Sequence, residues 1–339
     1  MLIVPPQALL RPALSRRRFM RDLAILLASA AAAPVFAQST GDYPVRPIHF
    51  IIPNTVGGTS DILARLIGSR LSDAIGQPVI VESRPGAAGR IALDYMGKAA
   101  PDGYTILLGN NGTNAIVPGA QSVDAADDPA LVPVIKLASL AIVIAATPRV
   151  EAKSLSDVIE RARRKPDSLA YASSGIGSTS HMAAALLSQR AGIKMLQIPY
   201  AGTASAVKDV LAGEVPLLFT HLATVATLIR AGQLRALAVT GLHRTAAFPD
   251  IPTVAESGFP GFDVVTWHGV LAPPGTPRDI VMRLHGELAR IVAMADMRAQ
   301  LANMGMEPLS GSPEEFAADI RADRQHWATV VRDAGLPGR

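Results

Sequence analysis

From residue 48 onward the chain alternates short β-branched apolar runs with longer segments whose apolar side chains recur every three or four positions. Ile48–Ile52 reads as a strand. Ile62, Leu63, Leu66, Ile67, Leu71 and Ile75 then fall on one helical face, opposite Arg65, Ser69, Ser72 and Asp73. Gly76 sits at the helix-stopping position, with Pro78 just beyond. Val79–Val81, a helix over Gly89–Ala99, a Pro101-Asp102-Gly103 turn and Thr105–Leu108 complete a β-α-β-α-β series. Such alternation predicts a parallel sheet with helices on both faces. Residues 110–135, crowded with Asn, Gly, Pro and Asp, read mostly as loop or crossover.

A second series follows. Its strands are Ala141–Ala146, Leu169–Ala172, Lys194–Ile198, Val215–Phe219 and Arg235–Val239. Its helices open at a Ser154/Asp157 capping box and run over Ser180–Ala191, Thr203–Ala212 and Leu222–Ala231. A proline-rich excursion leads to a strand at Val264–Leu271. Pro277 starts one terminal helix. Ser312-Pro313-Glu314-Glu315 starts another, which Gly335 ends. This tail shows no strand of its own and is expected to pack back on the first unit. The chain thus divides into lobe 1, residues 42–141 plus 265–339, and lobe 2, residues 142–264, with two strand crossovers between them.

Ahead of both units stands Ser15-Arg16-Arg17-Arg18-Phe19-Met20-Arg21, followed by an uncharged run from Leu23 to Ala37. The run is short of the roughly 20 residues that a membrane span needs. It closes on Val35-Phe36-Ala37, with small residues where a signal peptidase reads them. Residues 1–37 therefore read as an export signal cut between Ala37 and Gln38, which places the mature protein in the periplasm. The Ser-Arg-Arg-x-Phe order resembles a twin-arginine signal.

The signal also changes the charge. The whole chain of 339 residues carries a formal charge of +4, and the signal's five arginines and one aspartate account for it. What remains holds 27 basic and 27 acidic residues. That removes the electrostatic footprint expected of a nucleic-acid binder. The absence of cysteine excludes disulfides and thiolate metal sites.

Three strand-to-helix turns share one design: Asn54–Asp61, Ser173–His181 and Tyr200–Ser205. In an α/β sheet such turns lie at the carboxyl ends of strands, where ligands bind. The helix starts offer free N–H groups and a positive dipole end, which suit an anion such as a carboxylate. Glycine there lets a ligand approach the backbone. The candidate ligand-binding residues are Asn54, Thr55, Val56, Gly57 and Gly58 in the first turn. Ser173, Ser174, Gly177, Ser178 and Thr179 come from the second, and Tyr200, Gly202, Thr203 and Ala204 from the third. Gly112 and Thr113, after the third strand, complete the set with His221, which either faces the cleft or caps a helix.

Rival chemistries are thin. Gly175-x-Gly177-x-x-Ser180 lacks the third glycine and the acidic residue of a dinucleotide fingerprint, and there is no P-loop. No nucleophile elbow accompanies Ser180-His181, so His181 reads as tying its loop to its helix. The histidines lack metal-ligand spacing, so no metal and no cofactor are expected. His49 reads as structural, Asp61 as a first-turn carboxylate, Trp327 as core, and Trp267 as core or as lining the cleft from the strand that re-enters the first lobe. An exported α/β enzyme with a bound cofactor is the alternative that these loops leave open.

Several segments together carry a family resemblance. They are Pro53 with Gly57-Gly58-Thr59-Ser60-Asp61, the run from Gly76-Gln77-Pro78 to Pro85-Gly86-Ala87-Ala88-Gly89, and Pro101-Asp102-Gly103-Tyr104-Thr105. Further on are Tyr171–Ser178 with His181, Leu234–Thr240, Pro249-Asp250-Ile251-Pro252-Thr253-Val254-Ala255-Glu256, and Ala272-Pro273-Pro274-Gly275-Thr276-Pro277. The chain resembles the substrate-binding proteins of tripartite tricarboxylate transporters, also called Bug receptors. The resemblance implies a type II periplasmic binding protein, each lobe a mainly parallel sheet, that closes by a hinge on a small carboxylate. It also implies no catalysis, a monomer, and membrane permease subunits, or a sensor, as partner.

The departures fall at the cleft. Asn54-Thr55-Val56 replaces the usual aromatic of the first loop, and Tyr200-Ala201-Gly202 lacks the usual lysine of the third. Val215-Pro216 stands where valine-aspartate is usual, and Pro118-Gly119-Ala120 replaces Pro-Tyr-Asp. Without a cationic clamp the expected ligand is a compact monocarboxylate, or a dicarboxylate bound partly through water. The first loop leaves room for an aromatic ring. Thr55, Ser173, Ser178 and Thr203 are the expected hydroxyl donors.

Overall fold

The computed structural model describes residues 43–116 and 130–333. The export signal, the Pro118 departure and the Gly335 stop lie outside the described residues. Tyr43–Arg339 clusters as one unit.

The first half of the sheet is built from β1 (Ile48–Ile52), α1 (Thr59–Ile75), β2 (Val79–Ser83), α2 (Arg90–Lys98) and β3 (Thr105–Asn110). β1 pairs in parallel with both β2 and β3. Period-2 alternation fixes its two faces. Ile48, Phe50 and Ile52 pack with Leu63, Ile67 and Leu71 of α1, whereas Ile51 packs with Ala92, Leu93 and Met96 of α2. Gly76 stops α1 in a left-handed conformation, its N–H bonded to the Ser72 carbonyl.

The long β4 (Val132–Ala146) begins well before the predicted start at Ala141 and occupies part of the predicted crossover. Pro133, Lys136 and Ser139 interrupt its apolar run and hide it. Register shifts at Pro133/Ile135 and Lys136/Ala138 accommodate the first two. The second half comprises α3 (Leu155–Arg164), β5 (Ala170–Ser173), α4 (Thr179–Ala191), β6 (Leu196–Pro199), α5 (Thr203–Ala212), β7 (Leu217–His221), α6 (Leu222–Arg230), β8 (Arg235–Val239) and β9 (Val265–Ala272).

The strand order is β2-β1-β3-β9-β4-β7-β5-β6, with β8 also on β4. The outer three strands of each half are parallel, and the central β9 and β4 add antiparallel pairs. β4 changes partner along its length: Val132–Ala141 pairs with β9, and Ile142–Ala146 with β7. In the second half Ile142 and Ile144 pack with α3 and α4, while Val143 and Ala145 pack with α5 and α6.

The tail holds α7 (Arg278–Ala293), α8 (Ala295–Asn303), β10 (Met306–Pro308) and α9 (Pro313–Asp333). The expectation of a tail without a strand is corrected, because β10 pairs antiparallel with Ala138–Leu140 of β4. Three residues are too few to show a period. The tail packs on the first half as expected, and its last helix reaches further. Phe316 and Ile320 of α9 join Ile51, Leu107 and Trp267, while Trp327, Val330 and Val331 join Ile142, Ile144 and Phe219. The last helix therefore straddles both halves. Its Asp323 accepts a hydrogen bond from Trp267 Nε1, and burial pushes that carboxyl's pKa up. The Ser312/Glu315 capping box forms as expected.

Candidate functional site

The β1–α1 turn is braced from within. Gly57 adopts φ +82°, and its N–H donates to Asp61 Oδ2 at 3.0 Å. Burial disfavours the Asp61 carboxylate, but hydrogen bonds from Arg65 and Gly57 outweigh it and hold its pKa low. Asn54 Oδ1 accepts from Ser60 Oγ at 2.9 Å and from Asn110 Nδ2 at 3.3 Å. Below it Asn110, Thr113 and Asn114 form a buried polar knot. Thr113 N–H donates to Asn110 Oδ1 at 3.1 Å, and Thr113 Oγ1 donates to Asn114 Oδ1 at 2.8 Å.

The β5–α4 turn closes on itself. Gly175 and Gly177 adopt φ +123° and +77°, which side chains rarely tolerate. Ser178 caps α4 by accepting from His181 N–H at 3.3 Å and donates to the Gly175 carbonyl at 2.7 Å. His181 Nδ1 accepts from Gly177 N–H at 3.2 Å, so this ring does tie loop to helix. Burial lowers its pKa to about 4.

Tyr200 turns its hydroxyl onto Asp209 Oδ2 of the following helix at 2.8 Å. Burial, with that carboxylate adding, raises the phenol to about 12. His221 ends β7 and bridges the halves. Its Nδ1 lies 3.3 Å from Thr59 Oγ1 of α1, and its Nε2 lies 2.8 Å from Thr266 Oγ1 of β9. Burial lowers it to about 4. His268 Nε2 lies 3.0 Å from Ser60 Oγ, and burial, with His221 nearby, lowers it to about 3.

These turns surround one cavity of about 820 Å³. Of the sequence-predicted residues, Asn54, Thr55, Gly58, Gly112, Thr113, Ser174, Gly177, Ser178, Thr179, Tyr200, Gly202, Thr203 and His221 line it. Four do not. Val56 projects outward and is 64% exposed. A Cβ on Gly57 would meet nothing within 4 Å, so that glycine serves the turn's φ rather than a ligand's approach. Ser173 is fully buried, its hydroxyl accepting from Gln197 Nε2 at 2.9 Å. Ala204 lies outside the lining.

Sequence reasoning missed Ser60, Pro85–Gly89, Asn110, Gln197, Thr266 and His268, all of which line the cavity. One signal was available. Pro85–Gly89 follows a strand and opens a helix just as the three chosen turns do. His268 gave none, since its neighbours in β9 read only as apolar strand.

The lining holds no Asp, Glu, Lys or Arg. With its three histidines neutral near pH 7, the cavity carries no formal charge. What it offers is polarity: the N-terminal ends of α1, α4, α5 and α6 meet it at Thr59, Thr179, Thr203 and His221. Turns from the two halves also meet across it. Thr179 Oγ1 donates to Asn111 Oδ1 at 3.0 Å. A Cβ on Gly202 would lie 2.9 Å from Thr55 Oγ1. Among the described residues no group of His, Asp or Glu is placed to hold a metal ion, and no helix is long and apolar enough to cross a membrane.

Residues 63–336 match the family model described as the tripartite tricarboxylate transporter family receptor. The chain belongs to this family. Among this receptor's relatives is protein BugT of Bordetella pertussis, 34% identical over 94% of this chain and 98% of that one. Solved structures that share the fold include three with close to 30% identity or more. Rpa4515 of R. palustris, solved with adipate, is 35% identical with a TM-score of 0.82, covering 86% of this chain and 98% of its own. The periplasmic binding protein BugD is 31% identical with a TM-score of 0.80, covering 87% and 99%. MatC of Rhodopseudomonas palustris, with bound malate, is 29% identical with a TM-score of 0.79, covering 85% and 100%. The tripartite tricarboxylate receptors are periplasmic solute-binding proteins, and this chain has their mixed α/β architecture.

Proposed function

We infer that this receptor captures a small carboxylate by closing two lobes, residues 42–141 plus 265–339 and residues 142–264, about the strands β4 and β9. It delivers that ligand to the membrane subunits of a tripartite-type transporter, or to a sensor. It performs no reaction and needs no cofactor. It is a monomer, exported through its twin-arginine signal and trimmed near Ala37.

The observation that carries this reading is an uncharged cavity ringed by helix N-termini from both halves. Such ends stabilise an anion without a counter-charge. The volume falls within the range of about 300–1,000 Å³ typical of small-ligand sites. Adipate in Rpa4515 and malate in MatC support a carboxylate here. His181 and His221 direct ring nitrogens at loop, helix and strand partners within the protein, which favours the receptor over the exported enzyme. Full charge in an uncharged cavity is costly, so a monocarboxylate, or a dicarboxylate with water on one end, fits best.

A thermal-shift panel tests this reading, because a ligand that binds only the folded state raises its melting temperature. Small mono- or dicarboxylates should give the largest shift. A larger shift with citrate-like tricarboxylates contradicts the ligand class, and shifts only with neutral sugars or cations contradict the reading.

A further inference from the structure

The side-chain amide of Asn54 is held by its oxygen. Oδ1 accepts from Ser60 and Asn110, and the backbone carbonyl of Asn54 accepts from Ser83 Oγ at 2.7 Å. A Ser60 hydroxyl has one proton, and an amide oxygen can only accept. Ser60 therefore donates to Asn54 and its oxygen accepts a hydrogen bond from Nε2–H of His268. Turning the amide over would set its NH2 against the NH2 of Asn110, donor against donor. The orientation is thus fixed by Asn110, whose own oxygen is held by Thr113 N–H and whose NH2 therefore points at Asn54. Ser60, Asn110 and His268 are all buried, so the amide oxygen faces the floor of the site. Among the described residues no protein acceptor meets Asn54 Nδ2. Asn54 is exposed and lines the cavity, which leaves the NH2 group facing the space a ligand would fill.

The rest of the lining gives this donor a consequence. With no Asp or Glu side chain there, a ligand ammonium would find no counter-charge, and at this wall it would meet another donor. Burying an unpaired ammonium is costly, and opposed donors discriminate further. We propose that Asn54 is a specificity-determining residue whose Nδ2 donates to a ligand oxygen, so that the receptor takes carboxylic acids and rejects the amino acids derived from them. This rests on the carboxylate-receptor reading above.

Calorimetric titration with matched pairs tests it: succinate and aspartate, adipate and 2-aminoadipate, hexanoate and 2-aminohexanoate, phenylacetate and phenylglycine. The best-bound acid should have a Kd at least about tenfold lower than that of its amino derivative, one missing charge-assisted contact being worth that much. Asn54→Ala should weaken that acid by about tenfold. Asn54→Asp keeps an oxygen for Ser60 and Asn110 but replaces the donor with an acceptor. It should weaken the acid further and shrink or invert the preference, with an unchanged melting temperature of the free protein as its control. An amino acid bound as tightly as its partner acid overturns the proposal. So does a well-folded Asn54→Asp protein with the wild-type preference. If none of the eight compounds binds, the carboxylate-receptor reading itself fails and takes the proposal with it.

Discussion

His181, His221 and His268 are rings that burial keeps neutral, at about 4, 4 and 3 against an ordinary 6.5. Between about pH 6.5 and 4 the unfolded chain binds more protons than the folded one, so stability rises with pH across that window. The contribution of these rings is complete above about pH 6.5 and is lost as the pH falls through 4. The melting temperature should therefore drop on acidification from pH 7 to 4.5. In His268→Gln, whose amide can still donate towards Ser60, it should drop less. Parallel curves for the two proteins would show that His268 does not titrate on unfolding. Gly202 is a second sensitive residue. Its φ of 176° is ordinary extended backbone, so its role is close approach, with Thr55 Oγ1 from the opposite half beside it. Gly202→Ala should weaken ligand binding by about tenfold by holding the two turns apart. Adding Thr55→Ala should recover part of the loss, and independent, additive effects would contradict the contact.

Among the elements, α9 links the halves. Trp327 is 3% exposed and packs in the second half, while Phe316 of the same helix packs in the first. Trp327→Ala should cost about 3–5 kcal/mol of unfolding free energy in a urea titration, as large-to-small changes in cores do. A loss below about 1 kcal/mol would mean that the end of α9 is dispensable. Most of the elements were legible in the sequence, because α1 and β1 show clean periods and Gly76, Gly192 and Gly213 mark their helix ends. β4 was half hidden, since Pro133, Lys136 and Ser139 break its pattern, the first two at register shifts. α8 and β10 were missed. β10 is too short to show a period, and Met294 separates α7 from α8 without a Gly or Pro break. In the site, the turns were legible through glycine and small hydroxyl residues. Asn110 and His268 were not, because their roles come from long-range pairing of β3, β9 and α1, which no local pattern records.

For the whole molecule, the family, the charge and the cavity agree. Residues 38–339 hold equal numbers of basic and acidic side chains, and the cavity at the junction of the two halves is uncharged as well. Anion capture must then come from helix ends, hydroxyls and amides. Closure over the ligand follows if contacts from both halves favour the shut state over an open one. β4 is suited to carry that motion, since it pairs with β9 in one half and with β7 and β8 in the other. Native mass spectrometry of protein purified from its host without refolding tests the central claim most directly. One equivalent of a small carboxylic acid should accompany the folded chain, displaced when an excess of a competing carboxylate is added. A bound nucleotide, flavin, sugar or metal ion in its place would contradict the account.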